Sequence, residues 1–177
     1  MARPTITPTG VERTFAKEEI IVSKTDPSGV ITYANDVFCR LAGYTEDELL
    51  GQQHNIVRHP EMPRCVFKLL WDTISTGQEI FAFVVNLSRN GDHYWVFAHV
   101  TPTFDEEGQI VSYHSSRRLP SESATQTITG VYKMLLEEEE RHASPKDAVE
   151  AATQLLLKVL GEKGVTYEEF LFGLLEA

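Results

Sequence analysis

The 177 residues are 42% hydrophobic and 24% charged, enough apolar material to bury a core and too much for a chain disordered throughout. A formal net charge of −10 argues against a cationic face laid along a duplex, so no nucleic-acid partner is expected. The acidic excess is heaviest from residue 121 onward, where 5 basic side chains meet 11 acidic ones. The two cysteines, Cys39 and Cys65, supply neither a disulfide framework nor paired thiolate ligands. No apolar run nears the roughly 20 residues that a membrane span needs, and the opening MARPTITPTGVERTF has no secretory apolar stretch. The expectation is a cytoplasmic protein with no membrane span.

Residues 1–17 hold Pro4, Pro8 and Gly10 among threonines and read as an extended arm that orders only against a partner. Ile20–Val22, the turn Asp26-Pro27-Ser28-Gly29 and Val30–Tyr33 read as strand, tight turn and strand. Asn35 or Asp36 then caps a short helix carrying Val37, Phe38 and Leu41, which Gly43 stops. Thr45 with Glu48 is a capping box for another short helix. HNIVRHPEMP, residues 54–63, is polar and broken by two prolines, so it reads as an irregular connection. From Pro63 to Ser75 a helix is predicted, with Val66, Phe67, Leu70 and Ile74 on one face. Three strands follow over 79–87, 92–102 and 109–118, the first two joined by the hairpin signal Asn90-Gly91.

Beyond residue 120 the period becomes helical throughout. Ile128, Val131, Tyr132 and Leu135 precede the acidic run Glu137–Glu140. Ser144 and Pro145 open a second helix carrying Leu156, Val159 and Leu160, and the capping box Thr166/Glu169 opens a third. The fold class is therefore α+β: a five-stranded antiparallel sheet with short helices on one face and a C-terminal helical tail. The division is an arm (1–17), a sheet domain (18–120) and an acidic helical tail (121–177). A pocket is expected between sheet and helices. The tail's apolar stripes are too rich for water, so they dock on the sheet or on a second copy. The stretch Leu155–Leu157 with Val159 and Leu160 is the contact expected for a homodimer.

Gly29, Ile31, Asn35, Phe38, Gly43, Tyr44, Glu48, Leu49 and Gly51 stand in the register of the run that PAS domains bear. The HNIVRHPEMP segment is similar to the flavin-binding PAS domains of bacterial aerotaxis receptors, and the resemblance spans residues 18–120. It implies a sensor of redox state or oxygen that binds FAD noncovalently, is no enzyme, and relays to an unidentified downstream signalling protein. It also implies that His54, Asn55, Arg58 and His59 approach the cofactor and that Asn35 and Asn86 face the pocket. Ile80 stands where the family usually has a flavin-contacting Trp. Read as residues alone, Arg58 pairs with Glu61 on a wet loop, Asn35 is a helix cap, and Trp71 and Trp95 are packing groups. The photoadduct cysteine of light-sensing relatives is absent, His54 standing in its place. A haem-binding gas sensor using His54 or His59 and a cofactor-free interaction module remain the alternatives. No nucleophile–base pair, phosphate loop or paired metal ligands point to catalysis.

Overall fold

The computed structural model describes residues 6–176, so Pro4 and the rest of the first five residues of the arm lie outside the described residues. Five strands form one antiparallel sheet: β1 (Ile21–Thr25), β2 (Ile31–Ala34), β3 (Ile80–Leu87), β4 (His93–Phe104) and β5 (Ile110–Arg118), in the order β2-β1-β5-β4-β3. The first hairpin thus joins the last three strands through β1 against β5, as the sequence reading required. Asn90-Gly91 does turn β3 into β4. Gly91 is at φ +94°, and a Cβ there would stand 2.3 Å from the Thr7 carbonyl oxygen, so only glycine fits.

Between β2 and β3 lie α1 (Asp36–Ala42), α2 (Glu46–Leu49), a single 3-10 turn (His54–Val57) and α3 (Arg64–Ser75). Asn35 caps α1 and Thr45 forms the full capping box of α2. Residue parity splits the sheet. One face presents Ser23, Val84, Asn86, Ala98, Tyr113 and Arg117 towards α3, while Phe81, Trp95 and Phe97 turn to the other side.

That second face meets the tail: α4 (Glu122–Glu140), α5 (Pro145–Lys163) and α6 (Tyr167–Glu176). Phe172 stands edge-on to Phe81 at 4.9 Å, and the Tyr132 hydroxyl donates to the Phe83 carbonyl at 2.5 Å. Ile128, Leu135, Leu156 and Leu171 are buried in the same core as the sheet residues. The seam expected between two copies is therefore satisfied within the chain: Leu156 and Leu160 are buried, and Leu157 remains 56% exposed. The acidic run Glu137–Glu140 forms the last turn of α4. Glu138 pairs with Arg141 at 2.7 Å and His142 at 3.2 Å, and Glu139 turns inward.

The arm departs from expectation over its described part. Thr9 N–H donates to Gly91 C=O, Arg13 N–H to His93 C=O, and His93 N–H back to Val11 C=O, at 2.7–2.9 Å. It orders on its own chain, against the start of β4.

Candidate functional site

Between α3 and the sheet lies a cavity of about 590 Å³. Helical spacing aims Phe67, Leu70, Trp71 and Ile74 of α3 into it, and the sheet supplies Val84, Ala98, Val100 and Tyr113. Those walls are apolar. The polar groups are selective: Arg58, Arg64, Lys68 and Arg117 line the cavity, and none of its described lining residues is acidic. Lys68 is ion-paired with Asp72 outside the lining, so in a chain of net charge −10 the guanidinium groups of Arg58, Arg64 and Arg117 give this wall its cationic character.

Arg117 is the least ordinary of them. It is 2% exposed, its Nε and Nη1 find no hydrogen-bond partner among the described residues, and its guanidinium lies 4.7 Å from the Phe38 ring centre. Nη2 donates to Ser23 Oγ and lies 3.4 Å from His54 Nε2. Burial pulls the guanidinium pKa down to about 10, which still leaves it charged at neutral pH. Ser23 Oγ, accepting from Arg117, donates in turn to His54 Nε2 at 2.9 Å. His54 stacks on Phe38 at 5.7 Å; burial, helped by the Arg117 charge, pushes its pKa down to about 3. The imidazole is therefore neutral. Both its neighbours donate to Nε2, so the proton sits on Nδ1.

The residues expected to face the pocket divide into two sets. His54, Asn55, Arg58 and Asn86 line the cavity. Arg58 stacks on Phe67 at 4.2 Å and bridges the free edge of β3 at Asn86, which also protects that edge. Asn35 does not line it. Its Oδ1 accepts from Phe38 N–H and Val22 N–H and its Nδ2 donates to Ile20 C=O, so the amide ties α1 to β1. Ile80 packs with Ile74, Val100 and Tyr113 behind the cavity wall. His59 faces away, its Nδ1 accepting from Glu61 N–H at 3.1 Å, and burial lowers its pKa.

Sequence reasoning missed Arg117, Ser23, Tyr113 and the place of Trp71. Trp71, a packing group by sequence, stands at the mouth, 38% exposed and edge-on to Tyr113 at 5.7 Å. Opposite it is Gly29, at φ +84°, where a Cβ would come within 3.0 Å of the indole. The signal for the other three was strand parity: Tyr113, Ser115 and Arg117 share a face, as do Ile21, Ser23 and Thr25.

A second cavity, about 850 Å³, adjoins the first, and Arg58 and Arg64 line both. His59 and Met62 form one of its sides, Leu136, Glu140 and Ala143 another.

A family model for the PAS fold matches residues 31–117. The aerotaxis receptor of Escherichia coli K12 is 41% identical over 121 residues, which are 68% of this chain and 24% of that protein. The nitrogen fixation regulatory protein of Klebsiella pneumoniae is 32% identical over 106 residues, 60% of this chain and 21% of that one. This chain thus spans a quarter or less of either relative. Among solved structures, the dark state of the blue-light photoreceptor Aureochrome1 LOV superposes with a TM-score of 0.56 at 27% identity, over 64% of this chain and 85% of that one. Sheet order, helix placement and these likenesses agree: residues 31–117 form a PAS domain.

Proposed function

We propose that this chain is a cytoplasmic sensor that holds FAD noncovalently in the first cavity, responds to redox state or oxygen, and relays the change to a partner protein. The observation that carries the reading is Arg117, a buried cation with two nitrogens that find no partner, and no acidic residue in the cavity lining, among the described residues. Such a charge is costly until a ligand brings electron-rich oxygens to it. A flavin meets both demands of the cavity. Its planar ring suits walls made of Trp71, Tyr113 and Val84, and its phosphates suit the Arg58 and Arg64 guanidinium groups. Bound there, the flavin supplies reversible electron uptake. The chain's own part is electrostatic: Arg117 favours negative charge on the ring edge, and Asn86 offers both a donor and an acceptor.

His54, Asn55, Arg58 and Asn86, with Ser23, Trp71, Tyr113 and Arg117, make up the proposed binding set. The haem reading needs a histidine nitrogen free to meet iron in the first cavity, whereas His54 Nε2 already accepts from Ser23 beside the Arg117 cation and His59 is not among that cavity's lining residues. That geometry favours the flavin. An absorbance scan of the purified full chain tests the assignment. Flavin bands, released as free FAD on acid denaturation, are expected; a Soret band would establish the haem sensor, and a colourless protein the interaction module.

A further inference from the structure

The second cavity has a wall that the PAS fold does not supply. Leu136, Glu139 and Glu140 come from the end of α4, and Ala143 and Pro145 from the turn into α5, all beyond the matched residues 31–117. That wall is pinned to the sheet domain. Glu139, 8% exposed, accepts the Cys65 N–H at 2.9 Å in the first turn of α3, beside Arg64. Leu135, one turn earlier, is buried in the common core.

The lining of this cavity combines two chemistries. Where it meets the first cavity it presents two guanidinium forks, Arg58 and Arg64, the geometry that suits a pyrophosphate. The same lining holds Ile6, Ile56, Met62, Leu87 and Leu136, apolar surface for a flat ring, and the Glu140 carboxylate, which can accept from ribose hydroxyls. We propose that the second cavity takes the adenylate half of the dinucleotide and that the C-terminal helices form one wall of its site. The proposal rests on the flavin reading of the first cavity. FAD then spans sheet domain and tail, whereas FMN, ending at its phosphate, touches the sheet domain alone. By linkage, whatever changes the hold on the adenylate half changes the docking of α4 and α5 to the same degree. The tail becomes the element that registers the ligand's state.

The test uses the full chain freed of flavin and titrated with FAD and with FMN. FAD is expected to bind at least tenfold more tightly. Amide exchange across residues 136–145 is expected to slow with FAD and not with FMN. Ala143 is exposed, so Ala143→Trp fills the second cavity without disturbing the core. It is expected to abolish the advantage of FAD while leaving FMN affinity as it was. Equal affinities for the two flavins, or tight FAD binding without protection of 136–145, would overturn the tail's role and leave the flavin reading standing. Failure of both flavins to bind overturns the two together.

Discussion

Arg117 and His54 pose a question that only chemistry at the residue scale answers: why keep a cation and a titratable ring together inside an apolar cavity? The charge is a cost to the empty protein and a gain to the loaded one, so the two states should respond oppositely to its removal. Replacing a buried charge that has no counter-ion by an apolar group of similar volume removes its desolvation cost from the empty protein. Arg117→Met should therefore hold or raise the melting temperature of the flavin-free protein. The same variant should weaken flavin binding by tenfold or more, since a charge-assisted hydrogen bond contributes about 1.5–3 kcal/mol. Calorimetry of the empty protein and fluorescence titration of the flavin read the two effects separately; a lower melting temperature with unchanged affinity would make Arg117 a structural residue. His54 adds a pH dependence. Its folded pKa, about 3, lies below the ordinary histidine value of 6.5, so between these values the unfolded chain binds the extra proton. Stability is complete above pH 6.5 and falls as the pH drops towards 3, by at most about 1.4 kcal/mol per unit. Urea midpoints at pH 7, 5.5 and 4 for the wild type and His54→Asn check this, the variant being expected to show the shallower loss.

At the scale of elements, signals that depend on neighbours in the sequence were the legible ones. Asn90-Gly91, the capping box at Thr45 and Glu48, and the apolar spacing along α3 each fix a local geometry, and each element formed where expected. The loop 54–63 was legible as a feature and only in part as contacts. His54 and Arg58 reach the cavity because the 3-10 turn and the bridge to Asn86 aim them there, and His59, one residue on, faces the other way. Arg117 stayed hidden because two arginines at a strand end look solvated, and only pairing with Ile21 in β1 turns one of them inward. Glu139 is the corresponding case in the tail. Nothing in a run of four glutamates marks the one that binds the Cys65 N–H across 74 residues. Two long-range bonds hold α4 down, and they can be measured. Glu139→Ala leaves that N–H without its partner, and Tyr132→Phe removes the bond to the Phe83 carbonyl. Each should cost about 1–3 kcal/mol, or roughly 2–12 °C in melting temperature for a chain of this size. The sites lie on one helix and share the docking of α4, so the double variant should lose less than the two single losses added. Simple additivity in thermal melts would show that α4 does not dock as a unit.

For the whole molecule the question is what covers the tail. The sequence demanded a cover for Leu156 and Leu160 without saying whose, because an amphipathic stripe records that a surface is buried and not against what. In the folded chain both side chains lie in the core shared with the sheet, at 6% and 5% exposure, while Leu157 on the adjacent face is 56% exposed. The two leucines therefore separate the possible covers. Leu156→Asp places an unpaired carboxylate in the common core and should cost at least about 3 kcal/mol, since lost packing and desolvation act together. The expected result is loss of helical circular dichroism from the tail and binding of a hydrophobic dye. No change to a smaller scattering mass should accompany it. Leu157→Asp meets water and should alter stability by less than about 0.5 kcal/mol. A Leu156→Asp protein that kept its full helix content while its scattering mass halved would return this residue to a contact between two copies. Partial loss of helix at unchanged mass places the leucine in the chain's own core, where undocking the tail and unfolding it are one event.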